Sequence, residues 1–248
     1  ELPKAGGIAE GSRPATLGVD EIGGVLDRVA RDTGVIPDVL AFDSCLMANL
    51  EAATELEGRA GLLVGSEDVM TSPDWRRAEH TLDYAAPLKG ILQKLSDRLE
   101  EGQDVSARTL ASDWVDECSR SWTTPTQTAL DLEAMPAVAQ AADGLAGALM
   151  EAPLEAVREL TQTVRHFGKK EDRWSREWDT TRHLYDVVDL ARQVQADPRL
   201  AQAHEAARVL EEAVGEARVA HQAQDVIAPV WRFSYGATEP HDSHDYDE

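Results

Sequence analysis

The chain has 248 residues, 42% hydrophobic and 28% charged, a composition typical of a globular protein that buries a substantial core as one domain or a domain with an appendage. Its 46 Asp and Glu outweigh 24 Lys and Arg, for a formal net charge of -22. That field disfavours nucleic acid and anionic membrane surfaces as partners and attracts cationic ones, although solubility alone would also explain it. Two cysteines, Cys45 and Cys118, cannot build a disulfide framework, and C-x-x-C and H-x-x-x-H spacings are absent. No apolar run approaches the length of a membrane span, and nothing resembles a secretory signal. The first residue is Glu1 rather than Met. A leader or a longer N-terminal segment is therefore expected to have been removed, and a cytoplasmic and a secreted location are both open.

Residues 1–17 are rich in Gly, Pro, Ala and Ser and read as a flexible arm. Ile22, Val25, Leu26 and Val29 recur at helical spacing over Val19 to Thr33, and Gly34 is placed as a C-cap. Val39 to Phe42 is short and apolar enough for a buried strand. It stops at Asp43-Ser44-Cys45, after which Leu46, Met47, Leu50, Ala53 and Leu56 follow a helical period to about Gly58. A second short run, Gly61 to Gly65, ends at Ser66-Glu67-Asp68. Helix, strand, helix, strand with short connections implies parallel strands in an α/β layer, with both polar strand ends on one carboxyl edge. Open α/β sheets bind ligands at that edge.

After a proline-bearing loop at Thr71 to Trp75 the pattern turns mainly helical. Leu88, Ile91, Leu92, Leu95 and Leu99 form one expected apolar stripe, and Leu110, Trp114, Val115 and Cys118 another. Thr128 to Leu132 reads as a further strand, and Met135 to Met150 and Leu154 to His166 as helices. Gly168 to Glu177 reads as a charged connector. Leu184 to Val194 and Leu200 to Ala220 read as two more helices, and Val226 to Tyr235 as a closing strand. The organisation expected is a nucleophile-bearing core over residues 1–80, a mainly helical remainder over 81–240 and a disordered acidic tail over 241–248.

Either Asp43 or Ser44 is expected to cap the helix that follows, which would set the Cys45 sulfur beside unpaired backbone N–H groups that favour thiolate. A buried, inert core cysteine is the competing explanation, and for Cys118 beside Trp114 it is the preferred one. A cysteine nucleophile needs a base, normally histidine. None of His80, His166, His183, His204, His221, His241 and His244 stands at the end of a convincing strand; His80, His183, His204 and His221 fall in or beside helices. His241 and His244, with Asp242 and Asp245, are spaced like a weak metal pair in a solvated tail. Asp43, Glu67, Asp68 and Asp74 gather at the expected sheet edge. They serve either as caps and solvated loop charge or as an acidic pocket for a basic side chain.

Phe42-Asp43-Ser44-Cys45-Leu46-Met47, then Glu51-Ala52-Ala53-Thr54-Glu55-Leu56, resemble the nucleophile motif F-D-A-C-L-M and the following E-x-A-x-E-L helix of clostripain-like (C11) cysteine peptidases of the caspase-like clan. Gly65-Ser66-Glu67-Asp68 and Pro73-Asp74-Trp75 are similar to that family's A-S-E-E strand end and P-x-x-G-W turn. Thr128-Ala129-Leu130-Asp131-Leu132 is similar to its S-A-V-D-L. Leu184 to Leu190 falls where a D-L-Y-x-F-A helix stands. Ser44 replaces the usual alanine and Asp74 the glycine before tryptophan, and Trp231 to Tyr235 only faintly matches the family's closing strand. The family's H-G-G strand end, which carries the catalytic histidine, has no counterpart in residues 1–44.

The resemblance implies a caspase-like α/β sheet with flanking helices and a largely helical C-terminal half. It implies a cysteine endopeptidase acting after Arg or Lys, with Cys45 as nucleophile and Asp43, Ser66, Glu67 and Asp74 lining the substrate cleft. It further implies that the histidine lies on a separate upstream chain released by autoproteolytic maturation of a zymogen. The partners expected are that chain and a basic peptide or protein, with neither nucleic acid nor membrane. No cofactor is expected; calcium dependence occurs in the family, but calcium-loop spacing is absent. The alternatives are a non-catalytic caspase-like scaffold acting through its helical half, and another thiol hydrolase on an α/β sheet.

Overall fold

The computed structural model describes residues 5–6, 16–44, 46–67, 85–103, 105–120, 126–165 and 185–223. A two-residue antiparallel pair, β1 (Ala5–Gly6) with β2 (Thr16–Leu17), precedes helix α1 (Val19–Thr33). The first turn of α1 is closed by Glu21, whose carboxylate accepts the Gly18 N–H at 2.7 Å. Gly34 ends the helix at φ 72°, a left-handed conformation that a residue without Cβ adopts cheaply. Ile22 and Leu26 of α1 turn to the core, and Val25 and Val29 face outward.

Strands β3 (Val39–Ala41) and β4 (Leu62–Gly65) pair in parallel with Leu40 beside Leu63, as the intervening helix α2 (Leu50–Glu55) requires. Helices α3 (Ala85–Glu101) and α4 (Ala107–Arg120) precede β5 (Thr126–Asp131), which is antiparallel to β4. A 3-10 turn at Leu132–Ala134 leads into α5 (Met135–Met150), α6 (Leu154–Thr163) and α7 (Val187–Ala196). A second 3-10 turn at Pro198–Ala203 leads into α8 (His204–Ala217) and then β6 (Arg218–Ala223), antiparallel to β5. The sheet order is β3-β4-β5-β6.

Strand alternation divides the apolar residues between two layers. Leu40, Leu63 and Leu130 face Ala52 and Ala53 of α2, Leu56 at its C-cap, Met135 and Val138 of α5, and Leu210 of α8. Leu62, Val64 and Ala129 face Ala111 and Val115 of α4. The result is a three-layer α/β/α arrangement. Burying Leu56, Leu63 and Leu132 completely stabilises the fold by about 1.5–3 kcal/mol each.

Three features depart from the expected pattern. The apolar stripe on α3 is not a core face: Ile91 is buried, but Leu88, Leu92 and Leu99 are 46%, 63% and 61% exposed. α3 packs on α4, and ion pairs bridge the two helices. Arg98 donates to both Asp113 oxygens at 3.0 Å each, and Lys94 reaches Glu117 at 3.0 Å. The helix expected to reach Ala220 ends at Ala217, where Arg218 turns extended (φ -78°, ψ 112°) and begins β6. Strands from both sides of residue 80 share one sheet, because β5 and β6 continue it outward from β4. The expected closing strand at Val226 to Tyr235, the connector at Gly168 to Glu177 and the tail at 241–248 lie outside the described residues.

Candidate active site

Because β3 and β4 are parallel, their carboxyl ends open on one edge of the sheet. The Phe42 N–H bonds the Val64 carbonyl at 2.8 Å, the last step of that pairing. No helix begins before Leu50, and the described residues from Leu46 to Asn49 form a turn. The Ala48 N–H donates to the Ser66 carbonyl at 3.1 Å, fastening this turn to the end of β4. Cys45 and Asp74 lie outside the described residues.

The helix cap is a correction to the expectation. Asn49 caps α2, its Oδ1 accepting the Ala52 N–H at 2.7 Å and its Nδ2 donating to the Leu46 carbonyl at 2.5 Å. The helix begins only at Leu50, so neither Asp43 nor Ser44 is its N-cap, and Cys45 is four positions before the cap in sequence. The feature next to Cys45 is instead a strained backbone. Leu46 has φ 61°, the sole positive value at a non-glycine among the described residues, and costs roughly 1–2 kcal/mol. Met47, buried to 2%, anchors the far side of the turn in the core.

Register decides which face each polar residue takes. The β3–β4 and β4–β5 pairings, each extended by one or two residues, set Asp43, Ser66 and Gln127 in a row across three strands, on the face of Val64 and Ala129. α4 covers that face. It begins at the opposite edge, where Arg108 pairs with Asp131, and its last turn brings Cys118 near Asp43. Burial first, and then the charges of Asp43 and Glu117, push the Cys118 thiol up to about 12 against a weaker hydrogen bond from Trp114. Cys118 is 8% exposed and is thus a buried core thiol, not a nucleophile. The Asp43 carboxylate and the negative end of the α4 dipole favour a cation at this corner, whereas Glu117 is already paired with Lys94 at 3.0 Å.

Glu67 takes the opposite face. The Thr128 hydroxyl donates to Glu67 Oε1 at 2.9 Å, and His221 Nδ1 lies 2.8 Å from the same hydroxyl oxygen. With its hydroxyl proton committed to Glu67, Thr128 accepts from His221 Nδ1–H. Ser66 Oγ is 3.2 Å from Thr126 Oγ1, and the Glu67 N–H donates to that oxygen at 3.0 Å. Register thus sets Ser66 beside Asp43 in the row, but its hydroxyl is bonded to Thr126, while Glu67 is tied to Thr128 and His221.

His221 was expected in or beside a helix and stands in β6. The polar run Thr126-Gln127-Thr128 heading an apolar strand was the available signal for the residues missed at this edge. His204 Nε2 lies 3.0 Å from the Asp197 carbonyl. Among the described residues no group of three or more His, Cys, Asp or Glu side chains is placed to hold a metal ion, and no helix is long and apolar enough to cross a membrane.

The clostripain family model matches residues 3–226. A solved clostripain from Bacteroides thetaiotaomicron in complex with a peptide inhibitor is similar at TM-score 0.53 and 14% identity, covering 89% of this chain and 79% of that one. A cysteine protease from B. fragilis follows at TM-score 0.51 and 13% identity, covering 88% and 78%. A secreted C11 cysteine protease from B. thetaiotaomicron with an irreversible peptide inhibitor gives TM-score 0.53 at 12% identity, covering 87% of this chain and 51% of that one. No curated protein matches.

Proposed function

Because the chain belongs to the clostripain family of cysteine peptidases, we propose that it is an endopeptidase cutting after Arg or Lys, with Cys45 as nucleophile and a histidine from a separate upstream chain as acid–base partner. The observation that carries the specificity is the corner between the sheet edge and the last turn of α4. There the charge of Asp43 is felt by the Cys118 thiol, the helix dipole adds negative potential, and a guanidinium or ammonium finds its counter-charge in Asp43, Glu117 being paired with Lys94. Asp74, in the turn similar to the family's P-x-x-G-W, is proposed as a second acid of the pocket. Ser66 and Glu67 line the cleft at the end of β4, where their side chains are tied to Thr126 and Thr128.

The Cys45 thiolate attacks the scissile carbonyl, and the histidine protonates the leaving amine and then activates the hydrolytic water. Backbone N–H groups of the turn after β3 and of the histidine loop hold the oxyanion. The described histidines do not suit the role of base. β6 stands three strand spacings from β3, about 14 Å at ~4.8 Å each, so His221 is far outside hydrogen-bond reach of a group at the end of β3. His204 is engaged with the Asp197 carbonyl. A histidine from elsewhere in the precursor, kept with this chain after internal cleavage of a zymogen, supplies the missing half of the dyad. No step is assigned to a metal ion.

The test is Cys45→Ala in the full precursor, assayed on peptides with Arg or Lys before the cut bond and by intact mass. Cleavage is abolished, and the precursor remains a single chain if maturation is autocatalytic. Full activity in the mutant refutes the nucleophile. Wild-type protein that co-purifies with no histidine-bearing chain and cuts no such peptide supports the scaffold alternative instead.

A further inference from the structure

Gln127, the second residue of β5, lies on the face covered by α4 and is 2% exposed, yet its Oε1 has no hydrogen-bond partner. Buried side-chain carbonyls are nearly always paired, and an orphaned one calls for an explanation. Its position supplies one. Extending the β4–β5 register by one residue sets Gln127 beside Ser66, and extending β3–β4 sets Ser66 beside Asp43. From Asp43 to Gln127 is two strand spacings, about 10 Å, a gap that a carboxylate, a cationic group and an amide together fill.

We propose that Gln127 is a specificity-determining residue whose side-chain carbonyl accepts a hydrogen bond from the ammonium or guanidinium of the substrate side chain that Asp43 neutralises. The inference rests on the Arg/Lys reading of the site. An ammonium carries three donors and a guanidinium five, more than one carboxylate satisfies. A cation drawn out of water therefore needs neutral acceptors as well as a counter-charge. Gln127 provides an acceptor in a spot where an apolar side chain of similar length would fill the same volume. The cost of the empty site is recovered when the donor arrives, so the orphan carbonyl favours basic side chains over apolar ones of the same length.

The experiment compares kcat/KM for three matched peptides with Lys, Arg or norleucine before the cut bond. It uses the matured full-length protein as wild type, Gln127→Met and Gln127→Glu. In Gln127→Met the Lys and Arg values fall roughly 10- to 100-fold, the range of one hydrogen bond to a charged group. The norleucine value and the melting temperature do not fall. Gln127→Glu keeps an acceptor and retains at least the wild-type ratio of Lys to norleucine. Undiminished selectivity in Gln127→Met overturns the inference and leaves the orphan carbonyl to a structural water. If Gln127→Met does not fold, a reduced ratio in Gln127→Glu overturns it equally. A wild-type protein without preference for Lys or Arg over norleucine overturns the parent reading, and this is visible before either variant is measured.

Discussion

Thr128→Val probes the polar cluster that closes the sheet edge between β4 and β6. Thr128 is 1% exposed, and its hydroxyl joins Glu67 Oε1 at 2.9 Å to His221 Nδ1 at 2.8 Å. Valine keeps the volume and removes both bonds. One of them is to a carboxylate, and the Glu67 and His221 side chains are only 20% and 18% exposed, so water compensates incompletely. The cost is about 2–3 kcal/mol, or a melting temperature lower by roughly 5–10 °C in a chain of this size. Calorimetry measures the shift, and guanidinium titration with an unchanged m-value confirms that both end states are preserved. Thr128→Ser, which retains the hydroxyl, is the control. A loss under 1 °C in Thr128→Val, or a larger loss in Thr128→Ser, refutes the reasoning and assigns the position to methyl packing.

The Cys118 thiol, pushed up from 9.0 to about 12 by burial and by Asp43 and Glu117, resists iodoacetamide at pH 8 in the native protein and reacts once the chain is unfolded; mass spectrometry after labelling distinguishes the two. Its raised folded value means that the unfolded state loses the proton first as pH rises. The contribution of this group is therefore present below pH 9 and is lost between pH 9 and 12, and Cys118→Ala flattens that part of the stability profile. Asn49→Ala removes the bond to the Ala52 N–H and costs about 1 kcal/mol in a urea titration. Its bond to the Leu46 carbonyl also links the cap to the turn after Cys45, so activity falls further than stability in that variant.

Some of the fold was legible because local and tertiary signals agree. α1 lies within its expected bounds because the periodic residues stop at a glycine that tolerates left-handed backbone. β3 and β4 are apolar throughout, as strands covered on both faces must be, and the short helix between them dictates their parallel pairing. α5 spans the run expected for it. β6 was hidden because Val214, Ala217 and Ala220 continue a helical period through the boundary. Arg218 to Ala223 includes just one β-branched residue, and pairing with β5 decides its conformation. The α3 stripe misled for the opposite reason: periodicity marks an apolar face but not what it packs against. At the site, Asp43 and Ser44 match an N-cap in composition. The actual cap was a few residues on at Asn49, and the turn between is visible only through the positive φ of Leu46. Ser66 and Glu67 were both placed at the sheet edge. Their partners, Thr126 for Ser66 and Thr128 for Glu67, follow from pairing with β5, which a single run of residues does not encode. The role of Gln127 rests on a missing hydrogen bond, a property of the folded chain alone.

The central claim is that Cys45 is the nucleophile of a peptidase that recognises a basic side chain. Its most direct test is affinity labelling of the mature protein with a peptide electrophile bearing lysine at the reactive end, followed by peptide mapping. The account predicts a stoichiometric adduct on Cys45 and none on Cys118, with labelling slowed in Asp43→Asn and by an excess of arginine peptide. An adduct on Cys118, or labelling that norleucine and lysine probes achieve equally fast, contradicts it.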